Sequence, residues 1–240
     1  MRLLLYNLRY GTGIGQFQFP WSGYFRKTHH NLSRISDFIQ SYDPDIVGLI
    51  EVDAGSYRSS RRNQAETLAE SLGHYHIYEL KYARHSPWLR VPVLNKQVNA
   101  LLTRETIKTR RFHYFEKGVK RLVIELELDG LTIFLVHLAL TFRTRHEQLL
   151  NLYSLIKPME TPCILAGDFN LFLGDKEIRL FLEATGLRNA NLTDEFTFPS
   201  WRPRRQLDFI LHSPEIKVSR FETPTVRFSD HLPLLCDFTF

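Results

Sequence analysis

Two short segments hold residues that could do chemistry together: AGDFN, with Asp168 and Asn170, and SDHLPL about sixty residues later, with Ser229, Asp230 and His231. Apolar residues that read as buried strands flank both. A phosphodiester resists attack because its anionic oxygens repel a nucleophile, so a catalyst must supply positive charge, a polarised water and a proton carrier. Carboxylates can hold the cation and a histidine can handle the proton. Asp168 and Asn170, two apart, point to one face of an extended strand end, while Asp230 and His231 sit where another strand is about to begin. The chemistry suggested is a metal-dependent phosphate site. By itself GDFN would also suit a helix N-cap or an Asx-turn, so further residues in a fixed order must decide.

Those residues need elements to position them, and the hydrophobic periodicity supplies a strand and helix alternation. Strands are expected at 3–7, 45–51, 75–80, 98–102, 107–115, 121–128, 131–137, around CILAGDFN, and at 207–212, 216–221 and 233–239. Leu32, Ile35, Phe38 and Ile39 mark one helix, stopped before Pro44. Others are marked by Ala65, Leu68, Ala69 and Leu72, by Leu149, Leu152, Tyr153 and Ile156, and near 175–184. Several strands are apolar on both parities, so both faces must be covered. Two sheets packed on each other with helices outside would do that. The 240 residues contain no Pro, Gly or Ser-rich linker, and one domain spanning 1–240 is expected.

Polar residues collect at the strand ends: Asn7, Glu51, His137, Asp168 with Asn170, Asp208, and Asp230 with His231. The ordered set YN (6–7), LIEVD (49–53), VNALLTR (98–104), VHL (136–138), GDFN (167–170), LDFIL (207–211) and SDHLPL (229–234) resembles the endonuclease/exonuclease/phosphatase superfamily, which includes DNase I, over nearly the whole chain. The resemblance implies a four-layer α/β/β/α sandwich with two mixed, mostly antiparallel sheets face to face. It implies that Glu51 is the main ligand of Mg²⁺ or Mn²⁺, helped by Asn7 and Asp230, a choice of metal that suits oxygen donors. Asp168 would orient and deprotonate the attacking water, and Asn170 would hydrogen-bond the phosphoryl oxygen or the nucleophile. His231 would contact the phosphate and handle a proton, with Asp208 holding its ring; whether Asp168 or His231 is the general base stays open. His137 would assist the leaving oxygen or the phosphate. Asn99 of VNALLTR is read as substrate-binding. A non-catalytic module would have eroded this ligand set, and none of it is missing.

Substrate is less sharply marked. Loops such as SYRSSRRN (56–63), ARHSPWLR (83–90), TFRTR (141–145) and TFPSWRPRR (197–205) are rich in arginine and aromatics. Arg58 and Arg145 are candidates to grip phosphate, and Trp201 to stack on a base. The net charge of +5 mildly favours anionic partners. The expectation is therefore a phosphodiesterase acting on nucleic acid, with a phospholipid or small phosphoester as the alternative and no obligate protein partner. PSWRPRRQLDF lacks the cysteine found at this place in inositol 5-phosphatases, which counts against that activity. The two cysteines, Cys163 and Cys236, lie in apolar strands without CxxC spacing and read as core residues, which disfavours zinc. MRLLLYN is too short for a signal peptide core and no run suffices for a membrane span, so a soluble, cytosolic protein is expected. His29, His30, His74, His76, His85, His113, His146 and His212 match no catalytic motif and read as surface or packing residues.

Overall fold

The most apolar strands become the centres of two sheets. In the computed structural model, which describes residues 1–14, 27–83, 86–174 and 176–240, β1 (Arg2–Asn7) and β2 (Ile46–Asp53) run side by side in parallel. Helix α1 (His29–Tyr42) joins them, burying Leu32, Ile35 and Ile39; it stops at Asp43, which takes a left-handed φ of 44° just before Pro44. The second sheet repeats the arrangement. There β7 (Thr132–His137) and β8 (Cys163–Asp168) are parallel and joined by α3 (Phe142–Ile156).

Antiparallel strands complete each sheet. Around β1 and β2 lie β3 (Tyr75–Leu80), β4 (Gln97–Thr103), β11 (Lys217–Glu222) and β12 (Leu234–Thr239), in the order β11-β12-β1-β2-β4-β3. Around β7 and β8 lie β5 (Thr109–Tyr114), β6 (Leu122–Glu127), the two-residue β9 (Arg188–Asn189) and β10 (Asp208–His212), in the order β5-β6-β7-β8-β10-β9. Periodicity cannot mark a strand as short as β9, and it is absent from the sequence reading.

The two parities of each central strand face different cores. Leu3, Leu5, Ile50 and Leu101 meet Ile124, Ile133, Leu135, Ile164 and Ile210 between the sheets. Leu4, Tyr6, Val47 and Leu49 face outward onto α1 and α2 (Gln64–Leu72). Val123, Phe134, Val136 and Leu165 pack under α3 and α4 (Lys176–Thr185). Each buried Leu or Ile contributes about 1.5–3 kcal/mol, enough to fix strand register. Cys163 and Cys236 lie inside this packing, where burial pushes their thiols up to about 11 and about 12. The outcome is the α/β/β/α sandwich. No helix among the described residues is long and apolar enough to cross a membrane.

The two parallel pairs bring polar residues together. β1 and β2 end in Asn7 and close to Glu51; β7 and β8 end in His137 and Asp168. Four C-terminal strand ends thus share one rim, two from each sheet.

Candidate active site

The glycine of GDFN explains how closely the second sheet's strand ends approach. A Cβ on Gly167 would stand 2.1 Å from the Val136 carbonyl oxygen, so only glycine lets β8 lie against β7 there. The register then sets His137 beside Asp168, and Asp208 directly across from Asp168 on the other side. His137 Nε2 is 3.3 Å from Asp168 Oδ2. Asn7 reaches over from the first sheet and its Nδ2 donates to that same oxygen at 3.1 Å. Asn170 is not on an extended strand as its spacing suggested. The chain turns at Asn170, with φ 53°; its backbone N–H donates to Asp168 Oδ1 (3.0 Å) and its Nδ2 to the Leu138 carbonyl (2.9 Å).

His231 is held between two carboxylates. Its Nδ1 is 2.7 Å from Asp208 Oδ2, and its Nε2 is 3.9 Å from Asp168 Oδ2. Burial lowers the proton affinity of the ring, but Asp208 and Asp168 outweigh it and push the imidazole up to about 10. Burial raises Asp208, which stays above the ordinary carboxylate value. Asp168 goes the other way: despite burial, His137, His231 and Lys120 hold it far below the usual range. The loop before β10 is braced to the SDH segment. Ser200 Oγ donates to the Ser229 carbonyl (2.6 Å), and the Ser200 and Leu232 N–H groups to the carbonyls of Asp230 and Thr197 (both 2.8 Å). This puts the Phe198 ring 5.0 Å from His231, with Trp201 edge-on to Phe198 at 6.4 Å.

Glu51 is presented by a bulge. Pairing of β2 with β4 slips between Leu49 and Val52, so Ile50 and Glu51 together oppose Asn99. Glu51 takes a left-handed φ of 56°, and its N–H donates to Asn99 Oδ1 at 3.3 Å. Asn99, expected to bind substrate, is 1% exposed and supports the Glu51 backbone. Against the burial that raises it, Lys120, Lys81 and His137 bring the Glu51 carboxyl below its ordinary value. Asp230 is at the rim, 3.4 Å from Arg9 Nε.

Two further corrections concern arginines. Arg58 is buried and paired with Asp53 at 3.0 Å, its guanidinium stacked 4.7 Å over the Tyr10 ring. Arg145 is also buried, bound to Glu177 and to the carbonyls of Ala139 and Leu140. Both face inward because each has a buried carboxylate to neutralise. Arg84 and His85, part of the arginine-rich loop reading, fall outside the described residues. Among the other histidines, His74 bridges the Leu72 and Pro44 carbonyls (3.0 and 2.9 Å), and buried His212 meets the Ser213 carbonyl.

Lysines were missed altogether. Lys120 Nζ contacts His137 Nε2 and is 3.8 Å from Glu51 Oε1. Behind it, buried Lys81 donates to Tyr10 Oη at 2.5 Å, and burial pulls its ammonium down to about 7. Each lies just outside a strand without any motif; only their strand-end location could have signalled them.

Ligand atoms of Asp168, Asp208 and His231 lie within 4.8 Å of one another, close enough to hold a cation. His231 suits that least, since Nδ1 is engaged by Asp208 and the ring holds its proton. Buried Asp208 Oδ1 and His137 Nδ1 have no hydrogen-bond partner among the described residues. They are polar atoms that a water, ion or substrate could satisfy.

A curated relative, UPF0294 protein VV1_1880 of Vibrio vulnificus (strain CMCP6), is 27% identical over 162 residues, which is 66% of this chain and 49% of the relative. The chain thus spans about half the length of the curated relative it matches. Among solved structures, an endonuclease/exonuclease/phosphatase from Beutenbergia cavernae DSM 12333 superposes with a TM-score of 0.74 at 18% identity, over 99% of this chain and 70% of that one. The Bacteroides thetaiotaomicron VPI-5482 mannosyl-6-phosphatase Bt3783 gives 0.73 at 18% identity, covering 100% of both chains. These likenesses show the fold. The model of the endonuclease/exonuclease/phosphatase family, whose members are phosphoester hydrolases, matches residues 4–231, and the chain belongs to that family.

Proposed function

We propose that this protein is a divalent-metal-dependent phosphodiesterase acting on nucleic acid. The observation that carries the reading is His231 between Asp208 and Asp168, on the rim shared with Glu51 and Asn7. The oxygen donors fit a hard cation: Glu51 offers a partly exposed carboxylate at the rim, with Asn7 and Asp230 supplying further oxygens. We favour this set over Asp168, Asp208 and His231, because a protonated imidazole has no lone pair for a metal. A bound Mg²⁺ or Mn²⁺ would neutralise charge on the phosphoryl group.

In this reading Asp168 and His231 divide the proton work, Asp168 as a weak base, since the cations around it lower its proton affinity. Asp168, kept ionised, accepts a proton from the attacking water, while Asn170 fixes the Asp168 turn. His231, kept protonated, donates to a phosphoryl oxygen, and Asp208 holds its ring. His137, which burial and Lys120 bring down to about 4, is a neutral contact for the phosphate or leaving oxygen. Phe198 and Trp201 beside His231, with exposed Arg202, Arg204 and Arg205 on the same loop, suit a base and its flanking phosphates.

A second reading has its own support. Leu140 and Leu173 are exposed on the loops beyond His137 and Asn170, Phe142 at the start of α3, and Val119 beside Lys120. Apolar tips around a phosphate site suit an amphiphilic phosphoester at a lipid interface. The test is a panel of plasmid DNA, single-stranded RNA, phospholipid vesicles and phosphomonoesters, each with Mg²⁺ or Mn²⁺ and with EDTA. Metal-dependent cleavage of DNA or RNA supports the first reading and cleavage of phospholipid alone the second. No turnover with any metal would overturn both.

A further inference from the structure

The ammonium group at the centre of the site comes from a segment without a motif, and several independent contacts fix it there. Gln148, buried on α3, donates through Nε2 to the carbonyls of Lys120 (2.8 Å) and Lys117 (3.1 Å). Its Oε1 accepts from the Ala139 N–H at 2.8 Å, two residues beyond His137. One amide thus ties the turn that carries Lys120 to the strand end that carries His137. On the opposite side the Arg121 N–H donates to the Lys81 carbonyl (3.2 Å), and Arg121 Nε donates to the Gly118 carbonyl (2.7 Å). Gly118 has φ +106°, and a Cβ there would come within 2.8 Å of Gln148 Nε2. The turn is therefore shaped to leave room for the glutamine that holds it.

Among the described residues the tip of Lys120 touches two groups, neither of them a closely paired carboxylate. Glu51 Oε1 at 3.8 Å is beyond hydrogen-bond reach, and the remaining contact is with a buried imidazole. Its side chain is 18% exposed, open toward the rim. A flexible cation held at its base, with a loosely satisfied head amid anion-handling groups, is built to transfer its head to an incoming anion. Lys81 and Arg58 stand on the Tyr10 ring, 5.1 and 4.7 Å from its centre, but burial weakens the charge of the first and Asp53 neutralises the second, which leaves Lys120 as the cation in contact with the site.

We propose that Lys120 is a catalytic residue: on substrate binding its ammonium group leaves Glu51 and His137 and holds a phosphoryl oxygen. The move also frees Glu51 of a neighbouring positive charge and His137 Nε2 of its contact. The inference rests on the phosphoesterase reading of the site but not on which phosphoester is cleaved.

Lys120→Met should produce two effects of opposite sign. Inorganic phosphate, titrated calorimetrically into metal-free protein, should bind about tenfold more weakly than to the unmodified chain. Mg²⁺, titrated without phosphate, should bind several-fold more tightly, because the competing charge is gone. Hydrolysis of bis(p-nitrophenyl) phosphate should fall by about two orders of magnitude in kcat/KM, and Lys120→Arg, which keeps the charge, should recover phosphate binding. A purely structural lysine would weaken both titrations together. Phosphate and Mg²⁺ affinities unchanged in Lys120→Met, or both weakened, would overturn the proposal. If the unmodified protein hydrolyses nothing with any metal, the proposed function falls, and the two titrations still decide on Lys120.

Discussion

His231 Nδ1 lies 2.7 Å from Asp208 Oδ2, so the imidazole reaches the site already bound on its far side. Asp208 and Asp168 raise its proton affinity from an ordinary 6.5 to about 10. The folded chain then binds this proton more tightly than the unfolded one. The resulting stabilisation is complete below about pH 6.5 and is lost as pH rises through about 10. Asp208→Asn removes one of the two anions. Both the alkaline loss of stability and the alkaline limb of kcat/KM should move to lower pH, by roughly 1–3 units. Melting temperature and hydrolysis rate measured from pH 6 upward check this, and superimposable profiles for the two proteins would contradict it.

Glu51 takes a left-handed φ of 56°, which costs a non-glycine residue on the order of 1 kcal/mol. Its function and its stability should therefore separate. Glu51→Gln is expected to cut hydrolysis at least about a hundredfold and to weaken Mg²⁺ binding, with the fold retained. Glu51→Gly should be as inactive yet more stable by about 1 kcal/mol, because the strain disappears. Chemical denaturation distinguishes the outcomes. A glycine variant less stable than the glutamine one would mean that the packing of the side chain outweighs the relieved strain, and a glutamine variant much less stable than the unmodified chain would mean that the carboxylate serves the fold.

How much of this was legible in the sequence depends on the range of each interaction. Strands such as LTIFLVH and CILAGD carry their burial in their own composition, so β7 and β8 were readable. The residues of AGDFN and SDHLPL could be gathered into one site because strand ends concentrate polar groups. Lys120 could not, since its place depends on Gln148 from a helix and on Lys81 from another sheet. Arg58 and Arg145 misled for the same reason. Loop arginines are usually solvated, and only the tertiary structure supplies the buried partners Asp53 and Glu177.

Arg145 should accordingly behave as a structural residue. It is 1% exposed and binds Glu177 and the carbonyls of Ala139 and Leu140, so its loss leaves a buried carboxylate unpaired. Arg145→Ala is expected to destabilise by about 3–5 kcal/mol. Replacing both partners with apolar residues, Arg145→Met with Glu177→Leu, should cost less than the single change. Urea denaturation of the three proteins measures this. Near-normal stability of Arg145→Ala, accompanied by a rise in KM, would return Arg145 to the substrate side.

Gly167 offers the sharpest test of how the fold sets the chemistry. The Cβ of an alanine there would meet the Val136 carbonyl oxygen at 2.1 Å, backbone that no rotamer change can move aside. Accommodating it means parting β7 from β8 where His137 faces Asp168. Gly167→Ala should therefore cost about 3 kcal/mol or more and lower hydrolysis even where the protein stays folded. Gly73 is the control: it caps α2 with φ +67° and has nothing within 4 Å of an added Cβ, so alanine there meets only the backbone penalty of about 1 kcal/mol and leaves activity unchanged. If the two substitutions prove equally mild, the close approach of β7 and β8 is not what aligns Asp168 with His137.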